Sequence, residues 1–222
     1  MKFNRCGRIS FLLFLLTLLP APVLAGSGIV GYLMKGLVIE KHFPKSNNGF
    51  PPDPSGMVYI LGGRQDSLVL KIQTAGRLRA EGSVRKILFL HRPGITEFAP
   101  TLGRNYTNDE WAAVQLQKAG IDVTSVEFVE VAPALFATFA EARVISALAR
   151  SRGARRLVLV SSRHHTQRVW RSFSHFNADG KLDLYVYGSN EEMEIVDLLR
   201  ERLKLLVYRC LVFPFDHLRS GR

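Results

Sequence analysis

The sequence is poor in cysteine and in acidic residues, and both shortages limit what the chain can be. Its two cysteines, Cys6 and Cys210, give no disulfide framework and no information on the compartment. With 19 acidic residues against 30 basic ones, the 222-residue chain carries a net charge of +11, which favours anionic partners. Nucleic acid, a phospholipid surface and a phosphorylated metabolite all meet that condition.

Grooves that bind nucleic acid often show basic residues interleaved with aromatic residues. The basic residues of this chain are not interleaved in this way. Instead, seven arginines and no acidic residue lie between Arg150 and Arg171. This distribution argues against a nucleic-acid partner and favours a smaller anion. The alternative for residues 150 to 156 is a solvated helix end followed by a basic loop, because runs of charge are usually exposed.

Charge is absent from residues 9 to 34, and three basic residues precede this run. It is either a signal peptide cleaved after Ala25 or a retained membrane anchor that continues through Leu33. We favour the anchor, because apolar sequence resumes beyond Pro20 and Pro22. In both cases the cationic start stays in the cytoplasm. This predicts a domain in the bacterial periplasm, held at the inner membrane or secreted after cleavage.

The rest of the chain predicts one folded domain. After the leader (residues 1–34), a linker over 35–56 contains four prolines, an α/β domain covers 57–190, and a C-terminal amphipathic helix and tail cover 191–222. Short apolar runs alternate with segments of helical spacing, which predicts a three-layer α/β sandwich with a mainly parallel sheet. The predicted strands are Met57–Leu61, Lys86–Leu90, Ser125–Val131, Leu157–Val160 and Leu182–Tyr187.

Three helix starts carry capping signals. Thr107 with Glu110, and Thr138 with Glu141, have the spacing of capping boxes. Asn190, followed by two glutamates, predicts the N-cap of the last helix.

In that last helix one face collects Val196, Leu199, Leu203, Leu206 and Cys210. Packing of this face on the sheet is the favoured interpretation. The alternative is a helix at a bilayer surface, with Arg202, Lys204 and Arg209 directed toward phosphates.

The strand that ends at Val160 is followed at once by polar side chains, from Ser161 and Ser162 to His165 and Arg168. Ligands of open α/β sheets bind beyond the carboxyl ends of the strands, so we expect a site there. His165 can move a proton and Arg168 can hold a phosphate or carboxylate. Glu141, if it contacts His165, would fix the tautomer of the imidazole.

Two further strand ends carry candidate ligand-binding residues. Gly62, Gly63 and Arg64 follow the first strand, where they form either a tight turn or a close approach to a phosphate with Arg64 as counter-charge. Their spacing matches neither a dinucleotide fingerprint nor a P-loop, so no cofactor follows from it. His91 and Arg92 close the second strand and add cationic donors. No recognised metal-ligand spacing is present.

Three blocks in this order resemble the YdcF/SanA/ElyC-like family of bacterial domains. They are Gly62-Gly63-Arg64 after a strand, Thr138-x-x-Glu141-Ala142 opening a helix, and Ser161-Ser162-x-x-His165-Thr166-x-Arg168 after a strand. The resemblance implies a Rossmann-like fold and a role in envelope biogenesis or the permeability barrier. One branch is reported to bind S-adenosylmethionine, and no reaction is settled. The chain departs from the family at the second strand, where His91-Arg92-Pro93-Gly94 replaces a Ser-Gly turn.

Together these observations predict an exported envelope protein that binds a phosphate-bearing metabolite or lipid carrier, with hydrolase or transferase activity as one form of that function. In this hypothesis Arg64, Arg168 and the serine turn hold negative charge, while His165, oriented by Glu141, moves a proton. The first alternative is a non-enzymatic factor that senses an anion and contacts a biosynthetic protein. The second is S-adenosylmethionine binding, which export disfavours because that cofactor is cytoplasmic.

Overall fold

The computed structural model describes residues 27–42, 55–82 and 84–220 of the chain. Five of its strands form one parallel sheet in the order β5-β2-β1-β6-β7, and β3 and β4 form a separate antiparallel pair. The strands are β1 (Met57–Ile60), β2 (Lys86–Leu90), β3 (Ile95–Ala99), β4 (Arg104–Thr107), β5 (Val126–Val129), β6 (Arg156–Ser162) and β7 (Asp183–Ser189).

Helices cover both faces of the sheet, so the predicted three-layer, Rossmann-like sandwich is confirmed. Helices α2 and α3 pack on one face, and α4 and α5 pack on the other. The described helices are α1 (Ser27–Met34), α2 (Gln65–Ala80), α3 (Asn108–Lys118), α4 (Ala137–Ser151), α5 (Thr166–Phe176), α6 (Ile195–Val207) and α7 (Phe213–Ser220), with a π turn over Tyr208–Val212 between the last two.

The central strand β1 shows why these short apolar runs become a covered sheet. Val58 and Ile60 point to the side of α2 and α3, whereas Met57 and Tyr59 point to the side of α4 and α5. A strand whose successive side chains are all buried must be covered on both faces, and this is the usual setting of parallel strands.

The order of the strands places a crevice beside β1. From β1 the chain moves outward to β2 and β5, and it then returns to the other side of β1 as β6. Ile60 pairs with Phe89 of β2 on one side and with Val160 of β6 on the other, so the three carboxyl ends lie close together. Such a reversal of strand order is where open α/β sheets bind ligands.

The segment between β2 and α3, in which no strand was predicted, contains the β3–β4 hairpin. Three of the five residues of β3 are exposed, including Ile95 and Phe98, and only its last residue, Ala99, is buried. A hairpin without a buried face lacks the apolar alternation by which strands are recognised in sequence. The hairpin leads directly into α3.

One of the predicted capping signals is confirmed. Thr107 Oγ1 accepts from the Glu110 backbone N–H at 3.1 Å, and Glu110 Oε2 accepts from the Thr107 N–H at 2.8 Å. The prediction of a capping box from Thr138 and Glu141 is wrong. Helix α4 already begins at Ala137, and both side chains have other hydrogen-bond partners.

The predicted start of the last helix at Asn190 is also wrong. Helix α6 begins at Ile195, after Glu194. Glu191 does not lie in the first turn of this helix. Its carboxylate accepts hydrogen bonds from the hydroxyls of Ser67 at 2.9 Å and Ser189 at 2.7 Å. These bonds tie the end of β7 to α2.

The buried face of α6 differs from the predicted one. Leu198, Glu201 and Leu205 face the protein. The face that we expected to pack on the sheet is exposed among the described residues, and it carries Val196, Leu199, Leu203, Leu206 and, after the helix, Cys210.

Residues before β1 also pack on the domain. Leu33 of α1 and Leu37 after it contact Leu198 and Leu205 of α6, and the backbone of Lys41 pairs with Val186 of β7. Residues 1–26 of the predicted leader and residues 43–54 of the predicted linker lie outside the described residues. In the part of the chain that is described, no helix has the length and apolar character to cross a membrane.

Candidate functional site

A cleft of about 460 Å³ lies at the carboxyl ends of β1 and β6, where the strand order reverses. Its floor comes from the turn after β1, its sides from the start of α4 and the start of α5, and its outer wall from α6. The polar side chains that line it are Arg92, Thr138, Glu141, His165, Arg168 and Lys204, and the apolar ones are Leu61, Leu135, Phe136, Ala137, Leu203, Val207 and Tyr208.

Six of the predicted site residues meet in this cleft although they are far apart in sequence. They are Gly62, Arg92, Thr138, Glu141, His165 and Arg168. The remaining five, Gly63, Arg64, His91, Ser161 and Ser162, do not line it.

Arg168 is held by a partner that the sequence analysis missed. Its Nε donates to Glu201 Oε1 at 2.6 Å and its Nη2 donates to Glu201 Oε2 at 3.1 Å. The two side chains are only 7% and 4% exposed. A third bond runs from Arg168 Nη1 to Thr138 Oγ1 at 2.6 Å. The charge of Arg168 is therefore neutralised within the protein, and its main effect is to fasten α6 over the cleft.

His165 contacts Arg168 and Thr138, so the predicted orientation of His165 by Glu141 is wrong. Its Nδ1 lies 3.3 Å from Arg168 Nη2, and its Nε2 lies 3.4 Å from Thr138 Oγ1. Because a guanidinium only donates, Nδ1 is the acceptor and Nε2 carries the hydrogen. Burial, and then the charge of Arg168, lower the pKa of His165 well below 6.5, so the imidazole is neutral.

Glu141 bonds to Tyr59 instead. The phenol of Tyr59 donates to Glu141 Oε2 at 2.8 Å. Burial raises the pKa of Tyr59 well above 10.0, so this phenol keeps its proton and remains a donor. Burial also raises the pKa of Glu141, although the bond from Tyr59 and the charge of Arg92 oppose the shift. The cleft thus holds a carboxyl group that binds a proton more readily than one in water.

Replacement of Glu141 by glutamine is expected to stabilise the fold at neutral pH. A glutamine can accept the same bond from Tyr59 without placing a charge in a buried site. Because the pKa of Glu141 is higher in the folded protein than its usual value of 4.5, Glu141 adds to the free energy of unfolding below pH 4.5. This contribution is lost as the pH rises through the pKa of the folded state. The advantage of Glu141→Gln should therefore shrink on acidification, as measured by denaturation at a series of pH values. The exposed control Glu130→Gln should change nothing, and a destabilised Glu141→Gln protein would contradict this account.

Arg92 lies directly over Gly62. A Cβ at position 62 would overlap the Arg92 guanidinium, so the glycine provides the space in which that group rests. Arg92 has no hydrogen-bond or ion-pair partner among the residues that the structure describes. The ammonium of Lys204 adds a second positive charge to the cleft, 3.8 Å from the Glu201 carboxylate that Arg168 already occupies.

Lys71 is a functional candidate that the sequence analysis did not find. It is buried in α2, and its Nζ donates to the carbonyl of Gly62 at 3.0 Å. Burial lowers its pKa to about 8, which still leaves most of the side chain charged at neutral pH. The buried face of α2 includes Leu68, Lys71, Ile72 and Ala75. A lysine at a helical spacing from apolar residues was the signal in the sequence that could have identified it.

Two of the predicted cations lie outside the cleft. The side chain of Arg64 is 86% exposed and pairs with Asp66 at 3.1 Å, so its predicted role as counter-charge in the site is wrong. His91 pairs with Asp109 of α3 and does not reach the cleft.

Ser161 and Ser162, the last two residues of β6, belong to a hydroxyl cluster behind the cleft. The Oγ atoms of Ser162 and Ser67 are 3.3 Å apart, and Ser67 donates to Glu191, so Ser162 is the donor to Ser67. The buried Ser161 hydroxyl has no partner within the described residues. Gly63 is required here, because a Cβ would approach Lys71 Nζ to 2.7 Å and Ser67 Oγ to 2.9 Å.

The fold and the cleft define a Rossmann-like α/β protein with a positively charged crevice at the switch point of its sheet. No protein-family model matches the chain, and no curated protein matches it significantly. Among the described residues, no group of three or more histidine, cysteine, aspartate or glutamate side chains is placed to hold a metal ion.

Proposed function

We propose that the chain is an exported, membrane-anchored envelope protein whose cleft binds a phosphate-bearing ligand. The observation that supports this most directly is Arg92, a guanidinium without a protein partner among the described residues, placed beside a glycine in the cleft at the switch point. A guanidinium of this kind matches a phosphate with two parallel hydrogen bonds.

The balance of charge in the cleft favours an anion. Arg168 is neutralised by Glu201, so the excess positive charge of the lining comes from Arg92 and Lys204, and the buried Lys71 adds a charge behind the turn at Gly62. Glu141 is the opposing group, and its raised pKa reduces the cost of bringing negative charge close to it.

The envelope context comes from the sequence. The uncharged leader supports export, and the three motif blocks support membership of the YdcF/SanA/ElyC-like family. With both, the ligand is a phosphorylated envelope metabolite or a lipid carrier, and a biosynthetic protein is the natural partner. The cleft residues that carry the motif, Gly62, Thr138, Glu141, His165 and Arg168, agree with this proposal in position.

The test is calorimetry on the full chain in detergent micelles. The panel comprises inorganic phosphate, a nucleoside diphosphate, a prenyl phosphate, the corresponding uncharged prenol, and S-adenosylmethionine. Binding of phosphate-bearing compounds with no binding of the prenol supports the proposal. Equal binding of prenol and prenyl phosphate would contradict the proposal. Selective binding of S-adenosylmethionine would support the alternative of an S-adenosylmethionine-binding protein.

A second candidate, hydrolysis or transfer of the phosphate group, rests on Glu141. A carboxyl group with a raised pKa, lining the cleft and oriented by Tyr59, is suited to protonate a leaving oxygen. Neutral His165 has no carboxylate partner, so Glu141 is the stronger candidate for proton transfer. Product analysis after incubation separates the alternatives: a bound ligand that is recovered chemically intact indicates a non-enzymatic factor.

A further inference from the structure

The C-terminal helices expose an apolar face that the core does not use. We define this apolar face by the five α6 residues Ile195, Val196, Leu199, Leu203 and Leu206, which are between 47% and 59% exposed. From Ile195 and Val196 the exposed residues recur every three or four positions on one side of the helix, away from the buried Leu198, Glu201 and Leu205.

The exposed apolar surface continues beyond α6. Leu211 in the π turn and Phe215 and Leu218 in α7 are 49%, 67% and 82% exposed. Soluble proteins rarely expose so many large apolar side chains in one region, and such patches mark interaction surfaces. An aromatic residue near the end of the face is suited to the boundary between hydrocarbon and water.

The charges beside the apolar face indicate what it contacts. Arg200 and Lys204 are 70% and 58% exposed along one edge of α6, and Arg209 is exposed after it. Asp197 pairs with Arg200, so the net positive charge of this edge comes from Lys204 and Arg209, because the Glu201 carboxylate is already paired with the buried Arg168. An apolar stripe with cationic edges is the pattern of helices that lie in the headgroup region of anionic bilayers.

The position of α1 supports the same partner. Helix α1 packs on α6 through Leu33 and Leu37, and Arg202 of α6 donates to the carbonyls of Leu33 and Lys35. In the sequence, α1 follows directly on the apolar, uncharged residues 9–26. A segment suited to a bilayer is therefore joined to the domain at the helix that carries the apolar face.

We propose that this apolar face docks on the surface of an anionic bilayer, with α6 and α7 lying parallel to the membrane plane. The apolar side chains would then reach about 5–10 Å into the boundary of headgroups and acyl chains. Arg200 and Arg209 would contact lipid phosphates. Leu203 and Lys204 also line the cleft, but docking of the apolar face on a bilayer does not require a ligand in the cleft.

The test measures the environment of single spin labels on the full chain in vesicles of phosphatidylethanolamine and phosphatidylglycerol. Both native cysteines are replaced by serine, and a cysteine is introduced at Leu206 on the apolar face or at the exposed Ala147 on α4 as the matched control position. Collision rates with oxygen, which concentrates in lipid, and with a water-soluble nickel chelate are compared. We expect a severalfold higher ratio of oxygen to nickel collisions at position 206 than at 147.

A second variant checks that the apolar face itself causes the difference. Leu199→Glu places a charge on the apolar face without touching the cleft, and it should abolish the high ratio at position 206. Gln117→Glu, which adds the same charge at an exposed position of α3, should not. Free access of the nickel chelate at position 206 in the unsubstituted chain would overturn the proposal. Protection from both reagents would also overturn it, and coupling between labels on two chains would then identify a second copy as the occupant.

Discussion

Replacement of Glu201 by alanine is expected to destabilise the fold by about 3–5 kcal/mol, because it leaves the buried guanidinium of Arg168 without its counter-charge. The loss exceeds the net strength of the ion pair, since the remaining charge cannot reach water while α6 is in place. The helix should detach at the same time, because Glu201 is the polar contact through which α6 holds the start of α5.

Chemical denaturation of the full chain in detergent, followed by circular dichroism, measures this loss. The matched control is Asp197→Ala, which removes the exposed ion pair of the same helix with Arg200 and should cost no more than about 1 kcal/mol. A double variant, Arg168→Met with Glu201→Leu, should recover most of the stability because neither charge of the pair remains buried. Equal effects of Glu201→Ala and Asp197→Ala would show that the pair is not buried as described.

Replacement of Arg92 by alanine is expected to weaken binding of the phosphate-bearing ligand by about 1.5–3 kcal/mol, the usual worth of hydrogen bonds to a charged group. This corresponds to a roughly 10- to 100-fold higher Kd. The fold should be unaffected, because Arg92 is exposed and has no partner among the described residues. Arg92→Lys should retain part of the affinity, since it keeps the charge but loses the paired geometry.

The control for this experiment is Arg64→Ala. Arg64 is another exposed arginine next to the same turn, but it pairs with Asp66 and points away from the cleft. Calorimetry with the ligand identified for the unsubstituted chain should show no change for Arg64→Ala. A larger loss for Arg64→Ala than for Arg92→Ala would mean that the ligand binds outside the cleft.

Some parts of this fold are encoded in short stretches of the sequence. The strands β1, β2 and β6 were predictable because each is a short apolar run that ends in turn-forming or polar residues. The convergence of Gly62, Arg92 and His165 followed from the same pattern, since parallel strands bring their carboxyl ends to one edge. Both predictions depend only on chain-local signals and on a general rule of topology.

The partners within the site could not be predicted in this way. Glu201 lies 33 residues after Arg168, and nothing near either residue indicates the contact. Thr138 and Glu141 have the spacing of a capping box, yet tertiary partners claim both side chains. Local propensity is a weak signal wherever a buried charge or hydroxyl has an alternative partner in space.

Helix α6 shows a further source of error. It carries two apolar stripes, one through Leu198 and Leu205 and one through Leu199, Leu203 and Leu206. The second stripe is longer and more uniform, whereas Glu201 makes the first look polar. The ion pair with Arg168, together with the packing of Leu198 and Leu205 on Leu33 and Leu37, makes the shorter stripe the one that packs inward.

The outer wall of the cleft has a consequence for biosynthesis. Leu203, Lys204 and Tyr208 are all synthesised after β7, the last described strand of the sheet. A nascent chain that has reached Ser189 can form all five strands of the sheet, but Arg168 still lacks Glu201 and the cleft lacks its outer wall. The cleft is therefore completed only after α6 has been synthesised, and nonsense mutations shortly before Ile195 would yield a protein with the sheet but without this wall.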